Sequence, residues 1–433
     1  MRYGYMFYQK PLKNGMKARY VNLGDPIQSY AVKLLYKEMG IPEDDILPVP
    51  RYDIADYQGE ECICVINGSS NYEEIVYDSR MLPPSRTKIH AIVYSLHLNR
   101  KLQQDELAFL KSSGSVGCRD IYTVNYLRGL GVDAYLTGCL TLTLPRRSEA
   151  EAKGADKVYL IDIPDTVRKY MPKEIAEAGE EHTQVVKFPI THDGNRATVD
   201  EAIAYHKQSE AVIDMLRKQA RLVITSRLHI AAPCLAMGIP VVLVLDYPGE
   251  RFGFLDRLMP VYDREHYEKI DWHPEPVDIE AVKKTIKEDF FARIRAANSR
   301  VELEKTWQGM RPLAELNYGN PMSIAMRKIP FKSKQFSYAV WGMIIQAPCY
   351  LDEVMKAEFP EAELICGIDM AAEQDWRYAG KKVIRPDEID SLPEDAIIFV
   401  LTAKAFPDAR NRMQGTKRRF VLIDVLDVEC YNF

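Results

Sequence analysis

No apolar stretch of the 433-residue chain approaches the roughly 20 residues needed to cross a bilayer. The N-terminal MRYGYMFYQKPLKNG lacks the apolar core of a secretion signal. Both absences lead us to expect a cytoplasmic protein with no transmembrane segment. Charge of one sign is missing as well: 57 basic and 62 acidic residues are interspersed, so no positive field would gather nucleic acid. The densest basic run, Lys417, Arg418 and Arg419, has no interleaved aromatics and reads as a solvated face. The eight cysteines are scattered through apolar runs, as expected of reduced structural thiols. Histidine, aspartate and glutamate do not cluster at ligand spacing, so no metal site is indicated, and no cofactor is expected.

What is present is alternation. The chain is too long for one hydrophobic core. DPIQSYAVKLLYKEMG, residues 25–40, repeats apolar residues at helical spacing and stops at a glycine, and CICVIN at 62–67 suits a buried strand. KIHAIVYS then reads as a strand, DELAFLKSSG as a helix, SVGCRD as a strand edge and IYTVNYLRGLG as a helix. Such alternation builds parallel βαβ units and a doubly wound sheet.

Proline and charge interrupt the pattern at PRRSEAEAKGAD, residues 145–156. It restarts with KVYLIDI, TQVVKFPIT, a helix over 202–219, RLVITS, a helix over 229–237 and PVVLVLD, and a long helix beginning VDIEAV closes this half. Little periodicity remains over 307–337, after which YAVWGM, ELICGID, KKVI, AIIFVLT and RFVLIDV alternate again. The expected fold class is therefore α/β. Two doubly wound Rossmann-like domains, 1–148 and 149–306, would adopt a GT-B type arrangement, followed by a linker at 307–337 and a smaller Rossmann-like domain at 338–433. In that last domain only Gly342 remains where a dinucleotide turn needs three glycines, which argues against a working dinucleotide site.

Open α/β sheets bind ligands beyond the carboxyl ends of their strands, and the notable polar residues fall there. RLVITS ends at Ser226, so Arg227 and His229 occupy the turn and the first residues of the next helix, where the helix dipole favours an anion. The arginine can grip a carboxylate or phosphate with its fork, and the histidine can donate or move a proton. Equally, Arg227 could pair with a carboxylate and His229 could be a satisfied histidine near a helix start. NLGD, at 22–25, precedes the first helix: Gly24 permits close approach of a ligand, and Asp25 is either an N-cap or a partner for a sugar hydroxyl. GCRD places Arg119 and Asp120 at another strand end, as a cap with an ion pair or as ligand contacts, and FPITHD leaves His192 at a strand end of the second half.

Together these stretches resemble the polysaccharide pyruvyl transferase family. NLGDPIQSYAV is similar to its Asn-x-Gly-Asp turn and helix, VGCRDIYTVNYLRGLGVDAYLTGCLTLTLP to its Arg-Asp block, and ITSRLHIAAPCLAMGIPVVLV to its Ser-Arg-x-His signature. The resemblance covers residues 1–306 or so. It implies transfer of the enolpyruvyl skeleton of phosphoenolpyruvate to a sugar of a surface polysaccharide or exopolysaccharide, or of its lipid-linked precursor, as a ketal. By that resemblance Ser226, Arg227 and His229 bind the donor, and Asn22, Gly24, Asp25, Arg119 and Asp120 bind the acceptor. His229 or His192 would supply the acid, and Asp25 or Asp120 the base. Two positions depart from the family pattern: Asp162 stands where an arginine is common, and Gly138 and Cys139 replace an Asp-Pro. A nucleotide-sugar glycosyltransferase and a catalytically idle glycan-binding scaffold are the alternative readings. Nothing in the sequence opposes an oligomer.

Overall fold

The first strand is one that apolar alternation does not disclose. RYGYMF, Arg2–Phe7, is broken by tyrosines and a glycine, yet as β1 it runs inside a parallel sheet with Met6 and Phe7 buried. The computed structural model describes residues 1–9, 18–70, 80–189, 197–247, 249–299, 321–343, 347–372, 376–402, 405–414, 416–423 and 428–433. The chain divides into two compact units, 1–247 with 254–316, and 317–433 with 248–253.

The first unit opens with β1, β2 (Ala18–Asn22), α1 (Gly24–Glu38), β3 (Ile46–Pro50), β4 (Cys62–Ser70) and β5 (Ile89–Leu98). It continues with α2 (Gln104–Ser112), β6 (Val116–Cys118), α3 (Ile121–Gly129) and β7 (Ala134–Leu136). Six strands form one sheet in the order β3-β1-β4-β5-β6-β7, every pair parallel. Helix α1 buries Ile27, Ala31, Val32, Leu35 and Tyr36, the apolar stripe of an amphipathic helix, against β1 and β4. The Tyr36 hydroxyl donates to the carbonyl of Gly4 at 2.9 Å, which fixes the helix along the sheet. Cys62 and Cys64, two apart on β4, both lie where a side chain on Gly4 would reach them, and both are free thiols.

After α4 (Glu149–Gly154) come β8 (Lys157–Ile161), α5 (Lys173–Ala178), β9 (Gly179–His182), β10 (Val185–Pro189) and α6 (Val199–Gln219). These lead to β11 (Ala220–Thr225), α7 (Leu228–Met237), β12 (Val241–Val244), β13 (Val261–Tyr262) and α8 (Glu280–Ser299). The second sheet is also wholly parallel, in the order β13-β12-β11-β8-β9.

Three connections tie the two sheets into one unit. Strand β2 pairs antiparallel with β10. The backbone N–H of Tyr8 donates to Nε2 of His206, on α6, at 3.1 Å, and the imidazole stacks on Phe7. Helix α8, although it follows the second sheet in sequence, packs on β4 and β5 of the first. There Asp289 accepts from the hydroxyls of Tyr94 and Tyr135 at 2.8 and 2.7 Å, and Arg293 bonds both Asp289 and the carbonyl of Ser115.

The second unit holds α9 (Pro321–Arg327), β14 (Ser337–Trp341), α10 (Ala347–Glu358), β15 (Glu363–Ile368) and β16 (Arg377–Tyr378). It ends with β17 (Lys381–Ile384), β18 (Ile397–Val400), α11 (Phe406–Met413), β19 (Arg419–Ile423) and β20 (Val428–Tyr431). The order is β16-β17-β15-β14-β18-β19-β20, in which the inner five strands are parallel and each edge strand pairs antiparallel. Inward from β14 its core gathers Trp341, Ile368, Ile398, Val400 and Phe420.

Candidate functional site

Each sheet of the first unit has one place where the strand order reverses, and such reversals open a crevice beyond the strand ends. In the second sheet it lies between β8 and β11, because β9 flanks β8 on the far side. Residues following both strands meet there. Asp162, just past β8, takes a left-handed backbone conformation (φ 49°) and its Oδ2 accepts from Nε of Arg227 and from the backbone N–H of Gln184, both at 2.8 Å. The Ser226 hydroxyl donates to the Asp162 carbonyl at 2.6 Å, and Thr225 Oγ1 accepts from the Arg227 N–H at 2.9 Å. Arg227 therefore occupies the N-cap of α7 with its side chain turned to Asp162 and partly exposed. The residue that departs from the family pattern is the one that orients the signature arginine.

His229 sits in the first turn of α7 at a local kink (φ −83°, ψ 21°) and is nearly buried. Its carbonyl accepts from Gln184 Nε2 at 3.1 Å. Gln184, itself 2% exposed, also accepts the Leu23 N–H on its own carbonyl at 2.8 Å. One residue, through its backbone N–H, its carbonyl and its side-chain amide, thus joins the strand end, the Asn-x-Gly-Asp turn and the signature helix.

In the first sheet the reversal lies between β1 and β4. The start of α1 approaches it. Asn22 Oδ1 accepts from the Gly24 N–H at 3.0 Å, and Asn22 Nδ2 donates to Asp25 Oδ1 at 3.3 Å. The N-cap of α1 is Leu23, with no capping side chain, so the N-cap expectation for Asp25 is corrected. The Asn22 amide already closes this turn, which leaves the Asp25 carboxylate inside the first helical turn. Burial pushes the Tyr8 and Tyr205 phenols up, and the Asp25 charge adds to the rise at both.

The two reversals meet at Gly24. A Cβ built there would lie 2.9 Å from the Cβ of His229 and 3.0 Å from the Gln184 amide, so only glycine admits this contact. Asn22, Gly24, Asp25, Ser226, Arg227 and His229 are therefore gathered at one place, between two crevices.

Arg119 and Asp120 stand apart, at the end of β6, with β5 between them and β4. Asp120 is fully buried and caps α3: one oxygen accepts from the Thr123 N–H and hydroxyl at 2.9 Å, and the other pairs with His97 Nδ1 at 2.7 Å. His192 lies outside the described residues. Gln184 and His206 gave no sequence signal, since both act through partners far along the chain. Among the described residues no group of three His, Cys, Asp or Glu side chains could hold a metal ion, and no helix is long and apolar enough to cross a membrane.

No curated protein matches the chain significantly. Among solved structures, an uncharacterized protein from Klebsiella pneumoniae subsp. pneumoniae aligns over 61% of this chain and 90% of its own, at 16% identity and a TM-score of 0.35. The sequence model of one family, described as polysaccharide pyruvyl transferase, matches residues 22–248, a span that runs from the Asn22 turn through both sides of the crevice to the end of the signature strand. The chain belongs to the polysaccharide pyruvyl transferase family.

Proposed function

We propose that the protein transfers a pyruvyl group from phosphoenolpyruvate to a sugar of a surface polysaccharide or its lipid-linked precursor, forming a ketal and releasing phosphate. The observation that carries this reading is the apposition of Gly24 and His229, which sets the Asn-x-Gly-Asp turn against the Ser-Arg-x-His helix. The two parallel sheets then act as the two halves of a GT-B type enzyme, the second holding the donor and the first the acceptor. No metal or cofactor takes part in this scheme.

The donor is an anion at two points, its carboxylate and its phosphate. Arg227, held through Nε by Asp162, presents its two terminal nitrogens as a fork to one of them, at the start of a ten-residue helix whose dipole favours negative charge. Ketal formation begins when the methylene carbon takes a proton, leaving a cationic carbon at C2. His229 is the acid. A sugar hydroxyl attacks C2 and gives its proton to the Asp25 carboxylate; the C2–O bond to phosphate breaks, and a second hydroxyl attacks C2 to close the ring, returning its proton to His229.

Phosphate release from phosphoenolpyruvate in the presence of a glycan acceptor tests the scheme. Arg227→Ala and His229→Gln each lower turnover by about 100-fold or more. Unchanged turnover in both variants would remove the donor assignment. Thermal stabilisation by a nucleotide sugar and none by phosphoenolpyruvate would replace the reading with glycosyl transfer.

A further inference from the structure

The carboxyl edge of the first sheet carries a cation that no carboxylate pairs with among the described residues. Arg119, 2% exposed, has its backbone N–H bonded to Leu96, but Nε has no partner and no described residue gives its guanidinium a hydrogen bond or an ion pair. The neighbouring Asp120 turns its oxygens to Thr123 and His97 instead. Other shielded arginines have acceptors: Arg100 pairs with Glu106 at 2.6 Å, Arg293 with Asp289 at 3.2 Å, and Arg418 donates to the carbonyls of Leu392 and Pro393. A buried charge without a counter-charge is strongly destabilising, and a folded chain keeps one where a ligand completes it.

The surroundings are shaped rather than loose. At the turn 138–139, burial pushes the Cys139 thiol up and the Arg119 charge offsets part of that. That turn is held from across the sheet by Ser95, whose hydroxyl donates to the Gly138 carbonyl at 2.8 Å and accepts the Leu140 N–H at 3.1 Å. Ser95 and Gly138 both take positive φ, 56° and 67°, conformations that cost energy at the serine.

We infer that Arg119 receives a phosphate or carboxylate carried by the acceptor glycan, on the same strand-end edge as the β1/β4 reversal and about 10 Å along from β4. This rests on the acceptor lying against the first sheet, as proposed above. The acceptor is then an acidic glycan or a sugar phosphate, with its charged group displaced from the hydroxyls that become the ketal. The planar fork of arginine suits either oxyanion.

Thermal melting of the full chain at constant ionic strength tests this with glucose 1-phosphate and phosphoenolpyruvate as probes. Without ligand, Arg119→Met melts above wild type, by about 2 °C or more, because an unpaired charge has gone. Glucose 1-phosphate stabilises wild type and Arg227→Ala, fails to stabilise Arg119→Met, and stabilises Arg119→Lys less than wild type. A melting point of Arg119→Met below wild type, or its failure to fold while Arg119→Lys folds, makes the arginine structural and overturns the inference. So does an equal response to glucose 1-phosphate in Arg119→Met and wild type, or no response in either. If the phosphoenolpyruvate shift is the one that vanishes in Arg119→Met, the anion belongs to the donor and the acceptor assignment falls. Pyruvyl transfer fails separately, through the absence of phosphate release by wild type.

Discussion

Gly24 is where the demands of the site are most local, since a single added methyl would enter the space of His229 and Gln184. Both neighbours are buried and backbone-anchored, the glutamine by bonds to Leu23, Asp162 and His229, so neither can yield cheaply. Gly24→Ala is therefore expected to cost about 1–3 kcal/mol, read as a lower urea midpoint, and to lower turnover more than stability requires. An alanine variant with unchanged midpoint and turnover would mean that the two motifs do not touch. Arg227, His229, Gly24 and Asp25 were legible in the sequence because each stands at a strand end or helix start, which local pattern marks. Gln184 was not, because its role comes from a partner 45 residues away, and pattern carries no such distance information. Asp162 was noticed only as a departure from a family pattern; its bond to Arg227 gives the departure a physical meaning.

At the scale of elements, apolar runs flanked by glycine or proline disclosed β4, β5, β8, β11, β12 and the five parallel strands of the second unit. Strand β1 escaped because its buried face is shared among tyrosine, methionine and phenylalanine rather than a run of branched residues. Helix α8 shows a second limit: its periodicity announced a helix but not which sheet it would cover. The covering is specified by polar chemistry. Tyr94, Tyr135 and Arg293 all converge on Asp289, and burial raises the two phenols further, so each hydroxyl stays protonated and donating. Asp289→Ala would leave two buried hydroxyls and a shielded guanidinium without their acceptor, at a cost of about 3 kcal/mol. Calorimetry should show that loss, together with faster exchange of the α8 amides than of those in α7. An undisturbed α8 would mean that apolar packing alone fixes the helix.

At the scale of the molecule, the two sheets of the first unit depend on a join that responds to pH. The His206 imidazole accepts the Tyr8 N–H, which requires an unprotonated Nε2, and it stacks on Phe7 with Lys33 near enough to repel added charge. Burial foremost, and then the Lys33 charge, lower its pKa to about 3. The unfolded chain, with an ordinary histidine pKa of about 6.5, binds the proton more readily than the folded one. This group's contribution is thus fully present above about pH 6.5 and is lost progressively as pH falls toward 3, amounting to about 2 kcal/mol of lost stability at pH 5. Other groups titrate over the same range, so the test is a difference between two proteins. His206→Gln keeps an acceptor for Tyr8 and cannot titrate, and its stability should fall by about 2 kcal/mol less than that of wild type between pH 7.5 and pH 5, measured by urea unfolding. Because the histidine lies on α6 and its partner follows β1, the protonated state strains one of the connections between the two sheets, and turnover should decline over the same interval in wild type while the glutamine variant holds its activity further into acid. Parallel losses in both proteins would place the acid sensitivity elsewhere and leave His206 as an ordinary packed side chain.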